Sequence, residues 1–138
     1  MNKQKGFTII ELIVVIAIIA VLAAIVLVNV TQYIAKSRDA AIKGNMATIA
    51  TNAAVWFDNQ TTATFAGFTS DPTYITPAAA MTSAGATLIA PQTTATGSAF
   101  CVEAVLNDTT TWCVDSTGYK GATADCDSAT ADCAADAS

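Results

Sequence analysis

The sequence predicts an α+β protein. A long N-terminal α-helix, membrane-spanning in its first half, packs by its second half onto a small antiparallel β-sheet, and the C-terminal region is stapled by disulfides. Three observations predict this. Residues 7–30 are almost wholly apolar, long enough to cross a bilayer as a helix. No Gly or Pro interrupts the chain from Phe7 to Lys43, and apolar residues then recur at helical spacing as far as Trp56. Two β-branched and aromatic segments and all four cysteines lie beyond residue 99.

The helix comes first. Its run I-V-V-I-A-I-I-A-V-L-A-A-I-V-L-V is rich in β-branched residues, which in water would favour a strand. In lipid the backbone must satisfy its own hydrogen bonds, so a single span is helical. One charge stands inside it: Glu11, four residues after the Gly6-Phe7 junction. A lone carboxylate in hydrocarbon costs at least ~2–3 kcal/mol, so its presence is a functional signal. Glu11 could be protonated, reach the headgroups or pair with a cation. A cut between Gly6 and Phe7 would create an α-amine that, on a neighbouring copy, neutralises Glu11 and makes it a register device, like one polar residue in a coiled-coil seam. A carboxylate simply tolerated at the interface accounts for the position equally well.

Beyond Val30 the helix turns amphipathic. Ile42, Met46, Ile49, Ala53 and Trp56 fall on one face, and Asp39 and Lys43 form an i,i+4 pair worth about 0.3 kcal/mol. The pattern predicts one continuous helix from about Phe7 to about Asn59. Met46, Trp56 and Phe57 read as the face that packs on the sheet rather than as a ligand pocket.

From Gln60 to Ser98 the chain is rich in Thr, Ala, Gly and Ser, with Pro72, Pro77 and Pro91 as breakers. It reads as loop, with a short helical turn near Pro77–Met81 and a short strand at Ala86–Ala90. Its threonines read as plain polar loop rather than as sugar acceptors. Phe100–Leu106 and Thr110–Asp115 are the best strands, joined by an N-D-T turn. Phe100, Val102 and Ala104 alternate with Cys101, Glu103 and Val105, so residues of one parity can face the helix. D-S-T-G-Y-K-G reads as a further turn and the last 17 residues as an irregular tail.

Composition limits the function. The net charge is −5, and beyond Lys43 the only cation is Lys120. So acidic a distal region lacks the electrostatic footprint of nucleic-acid binding. With no histidine, no phosphate loop and no nucleophile motif, the chain does not read as an enzyme. Bulky aliphatic residues are scarce after residue 60, so the core must lean on the helix and on disulfides. The apolar run continues past its small residues to Val30, which argues against an ordinary cleaved signal peptide.

The segment K-G-F-T-I-I-E-L-I-V-V-I-A-I-I-A-V-L-A-A-I closely resembles the prepilin signal of type IV pilins and pseudopilins. The resemblance covers roughly residues 1–35. It implies that a membrane prepilin peptidase cuts after Gly6 and N-methylates Phe7, and that Glu11 is the residue that docks subunits in a helical filament. It implies a leader at 1–6, a transmembrane or filament-core half-helix at 7–30, and a periplasmic or extracellular globular domain at 31–138. Many members carry a proline late in the apolar stretch, whereas none precedes Pro72 here. The segment W-C-V-D-S-T-G-Y is similar, less specifically, to the C-terminal strand region of many pilins.

Export makes disulfides the expected state of Cys101, Cys113, Cys126 and Cys133. Of three connectivities, Cys101–Cys113 with Cys126–Cys133 is preferred: the first would staple two strands, the second would close a small tail loop. The alternative pairs a strand cysteine with the tail, as in many pilins. A zinc site is disfavoured by the absence of His and of C-x-x-C. Asp125, Asp127 and Asp132 invite a calcium reading, but a solvated acidic tail is preferred, since no EF-hand pattern is present. No metal or cofactor is expected.

The expected function is therefore structural: a subunit, as a major pilin, of a type IV pilus filament serving adhesion, motility or DNA uptake. Its partners would be sister subunits, the prepilin peptidase and the assembly machinery. The precursor would sit as a single-pass protein in the inner membrane and the filament at the cell surface. The alternatives are a pseudopilin of a secretion or competence system and a plain membrane-anchored surface domain.

Overall fold

The computed structural model describes residues 6–122, 126–127 and 129–133. The chain divides into two compact units, Met1–Ile34 and Ala35–Ser138. Helix α1 spans Ile9–Asn59, 51 residues without a break. In the first unit its large apolar side chains are all 46–79% exposed, counting from Phe7 to Ile34. Its most apolar window has a mean hydropathy of 3.3, so by length and composition it can cross a membrane.

In the second unit the same helix buries the face read from its spacing. Ile42, Met46, Ile49 and Ala53 are enclosed, with Trp56 and Phe57 half-buried beside them. They pack on a four-stranded antiparallel sheet in the order β1-β2-β3-β4: β1 Thr87–Thr93, β2 Phe100–Val105, β3 Thr111–Asp115 and β4 Lys120–Ala122. Register decides which residues face the helix. Val102 pairs with Val114 and Ala104 with Trp112, which puts Phe100, Val102, Ala104 and Val114 in one core with the helix face. The scarcity of aliphatics is met by aromatics: Phe65, Phe68, Tyr74 and Phe100 stack at centroid distances from 5.3 to 6.5 Å. Burial pushes the Tyr74 phenol above its ordinary pKa.

Three local expectations fail for physical reasons. Asp39 does not take Lys43 as its partner. It is buried, and its Oδ1 accepts bonds from the backbone N–H and the Nδ2 of Asn107, both at 2.8 Å, which ties α1 to the β2–β3 turn. Lys43 instead lies 4.4 Å from the centre of the Trp112 ring, a cation–π geometry.

The segment read as loop contains a 12-residue helix, α2, Pro72–Ser83. Asp71 caps it by accepting from Thr73 N, and Pro72 occupies the first turn, where its missing donor costs nothing. The Thr73 hydroxyl and amide hold the Asp71 carboxyl below its ordinary range. Pro77 lies inside the helix and has no N–H to give the carbonyl of Thr73. That carbonyl is supplied from α1, by Asn52 Nδ2 at 2.8 Å. The helix ends in a Schellman arrangement: Ala86 N donates to Met81 O and Gly85 N to Thr82 O, both at 3.0 Å, with Gly85 at φ 99°.

The sheet is also larger than expected. β1 runs through Pro91, which sits on an edge strand where the register shifts between Ile89 and Gln92. Lys120 and Gly121, read as turn, and Ala122, read as the start of the tail, add β4 against β3.

The outer face of the sheet carries Cys101, Glu103, Cys113 and Asp115, and the C-terminal tail covers it. The preferred pairing of cysteines is wrong: the bridges are Cys101–Cys126 and Cys113–Cys133. Cys101 lies opposite Asp115, and Cys113 opposite Glu103, so the strand cysteines are out of register with one another and each bonds to the tail. Tail residues Ala131 and Cys133 are buried against Cys101 and Cys113 as a second small core.

Candidate assembly site

The site is built at the start of α1. Gly6, Phe7 and Thr8 precede the helix and are exposed. A Cβ added at Gly6 would meet nothing within 4 Å, so the chain's own packing does not require glycine there. Phe7 is 79% exposed.

Thr8 and Glu11 form a reciprocal capping box. Thr8 N and Thr8 Oγ1 both donate to Glu11 Oε2 at 2.8 Å, and Glu11 N donates back to Thr8 Oγ1 at 3.3 Å. Two donors left orphaned by the helix start are thereby satisfied, and the carboxylate lies in the first turn, where the helix dipole favours negative charge. Thr8 and Glu11 both lie beyond the Gly6-Phe7 bond, so the capping pair would remain together after a cut there. Glu11 Oε1 makes no hydrogen bond among the described residues. Gly6, Phe7 and Glu11 are the residues that sequence points to here, and Thr8 joins them only in the structure. Its signal was present: T-x-x-E ahead of an apolar run is a helix-start motif.

A second group of acids lies under the tail. Glu103 and Asp115 are 5% and 3% exposed. Cys126 N donates to Glu103 Oε2 at 3.2 Å, and Cys133 N to Asp115 Oδ2 at 3.0 Å. Asp115 Oδ1 also accepts from Thr117 N, Thr117 Oγ1 and Tyr119 N. Burial alone would raise the Asp115 pKa, but these bonds outweigh it and hold the carboxyl below its ordinary value. Both buried carboxylates accept backbone N–H groups of the tail and so hold it against the sheet. Of the tail aspartates, Asp127 accepts from Ala129 N at 2.8 Å within its own turn. Asp125 lies outside the described residues, and no cluster of three metal-ligating side chains occurs among those described.

Comparison with known proteins bears on the same segment. Residues 1–27 match the family model described as the prokaryotic N-terminal methylation motif. Two curated proteins of Moraxella bovis, a type IV major alpha-pilin and fimbrial protein Q, are each 49% identical over 47 residues. That match takes in 34% of this chain and spans 30% of each relative's length. No solved structure matches the chain significantly. Residues 1–27 thus carry a prokaryotic N-terminal methylation motif, and over 47 residues the chain is similar to type IV pilin and fimbrial proteins, in a chain whose fold joins a long apolar helix to a small antiparallel sheet and two disulfides.

Proposed function

We propose that the chain is the major structural subunit of a type IV pilus filament, serving adhesion, motility or DNA uptake. The observation that carries this reading is the apolar half of α1. From Phe7 to Ile34 every large apolar side chain is at least 46% exposed. Such a surface needs a bilayer or sister helices to cover it. Within it stands one carboxylate, a turn from the Gly6-Phe7 bond.

The precursor is held in the inner membrane by residues 7–30, with 1–6 as leader and 31–138 outside. The prepilin peptidase cuts after Gly6 and methylates the Phe7 amine. That cationic amine on an incoming copy pairs with Glu11 of a subunit already in place, whose Oε1 is open to it. The ion pair removes an unpaired charge from an apolar setting and fixes the axial register. The apolar half-helices then bury one another. Because the contact is head-to-tail and does not close, the product is a fibre. The similarity to the M. bovis type IV major alpha-pilin supports the major-pilin form of the reading.

Intact mass of protein sheared from cells, with and without reduction, tests this. The expected mass begins at N-methylated Phe7 and rises by four hydrogens as the two disulfides open. Gly6→Val should leave the leader attached, at a position where an added Cβ meets nothing within 4 Å. An uncut mass confined to membranes in the unsubstituted protein refutes the filament reading.

A further inference from the structure

A cavity of about 320 Å³ opens between the last turns of α1 and the N-terminus of α2, wholly within the second unit. Its volume lies at the small end of the range for ligand pockets. Asn52, Asn59 and Gln60 bring three side-chain amides, Asp71 a carboxylate and Thr73 a hydroxyl, around the indole of Trp56. No cation lines it.

The frame is fixed. Asp71 Oδ1 is held by Thr73, and Asn52 is held by the Thr73 carbonyl that Pro77 leaves open. Trp56 packs against Phe68 at a centroid distance of 5.9 Å. Its Nε1 is enclosed without an acceptor, the one such side-chain atom found among the described residues. Buried donors are almost always paired; this one is closed off from the cavity, whose surface is more apolar than polar and to which Trp56 offers its ring.

The chemistry narrows the ligand. One carboxylate and no cation repel anions, which excludes phosphates and acidic sugars. A metal ion would lack ligands, since no cluster of three metal-ligating side chains occurs among the described residues. Side-chain amides both donate and accept, as does each hydroxyl of a sugar, and an indole offers an apolar wall to ring C–H groups. We propose that this cavity binds a neutral hexopyranose unit, free or as the terminal unit of a glycan. Asn59 and Gln60 hydrogen-bond its hydroxyls and Trp56 contacts its ring. The proposal does not depend on filament assembly.

The test uses the full chain in micelles of a detergent without a sugar headgroup. Trp112→Phe leaves Trp56 as the sole indole reporter. Methyl glucoside, methyl galactoside and their N-acetylated 2-amino counterparts are titrated while Trp56 emission is followed. A saturable change with at least one, at Kd of about 1–10 mM, is expected. Asn59→Ala with Gln60→Ala should weaken it at least tenfold with the melting curve unchanged. The same sugar presented at the end of a glycan separates the two sources by relative Kd. No saturable response to any of the four, or an unchanged Kd in the double variant, overturns the proposal.

Discussion

Replacing Asp115 by Ala should cost more than any other single change on the outer face of the sheet. The side chain is 3% exposed and accepts four hydrogen bonds. Thr117 and Tyr119 lie in an exposed turn, where water can replace most of what they lose. Cys133 N is different: Cys133 is 2% exposed, and this bond is buried at both ends. A buried bond to a charged acceptor contributes about 1.5–3 kcal/mol, and leaving a buried N–H such as that of Cys133 without an acceptor costs about 1–3 kcal/mol. We therefore expect a loss of about 3 kcal/mol at pH 7, or roughly 12 °C in Tm for a unit of this size. Asp115→Asn should fall between variant and wild type. The pH dependence has a definite sign. The folded pKa lies below the unfolded value of about 3.9. The stabilisation is therefore complete above that value and is lost as pH falls through the folded pKa. Thermal unfolding of the full chain in micelles from pH 2 to 7 should show a wide gap between wild type and Asp115→Asn at neutral pH that closes in acid. An Ala variant within about 0.5 kcal/mol of wild type at pH 7, or a gap that widens in acid, refutes the reasoning.

Two further outcomes are expected. Glu11→Gln keeps an N3 acceptor for Thr8 but removes the charge. It should be cut and methylated normally, remain in the membrane and form no filaments when it is the sole copy; normal filaments would show that the cap, not the charge, is what assembly needs. Removing the Cys113–Cys133 bridge with paired alanines frees a loop of 20 residues and should cost about 3 kcal/mol. Urea unfolding measures the loss, and limited proteolysis should find the tail cut first while β1–β3 persist.

The long helix was legible because its signal is local. Ile42, Met46, Ile49 and Ala53 declare one face by spacing alone, and the apolar run from Phe7 to Val30 declares another solvent. The two central strands were legible from alternation, which also named Phe100, Val102 and Ala104 as inward-facing. The methylation motif over residues 1–27 is likewise carried by neighbours in sequence; the Thr8–Glu11 capping box was passed over, although T-x-x-E announced it.

What escaped depends on partners distant in sequence. Pro72 and Pro77 signal a break, yet α2 forms because Pro72 falls in a first turn and Asn52, 21 residues before Thr73, fills the hydrogen bond that Pro77 leaves open. Asp39 was assigned to Lys43 by proximity, but a buried carboxylate needs enclosed donors, and Asn107 supplies two. β4 is Lys-Gly-Ala, with no strand signal of its own; it is held by the edge of β3. The disulfide pairing turned on register, which places Cys101 opposite Asp115 and leaves each strand cysteine facing the tail. Sequence by itself determined the helix, its membrane-compatible half and the chemistry of its first turn, because periodicity and hydropathy are properties of neighbours. Only the tertiary structure decided that Glu103 and Asp115 are buried and the tail is bound, because covering the second face of a sheet brings together residues that no local pattern connects.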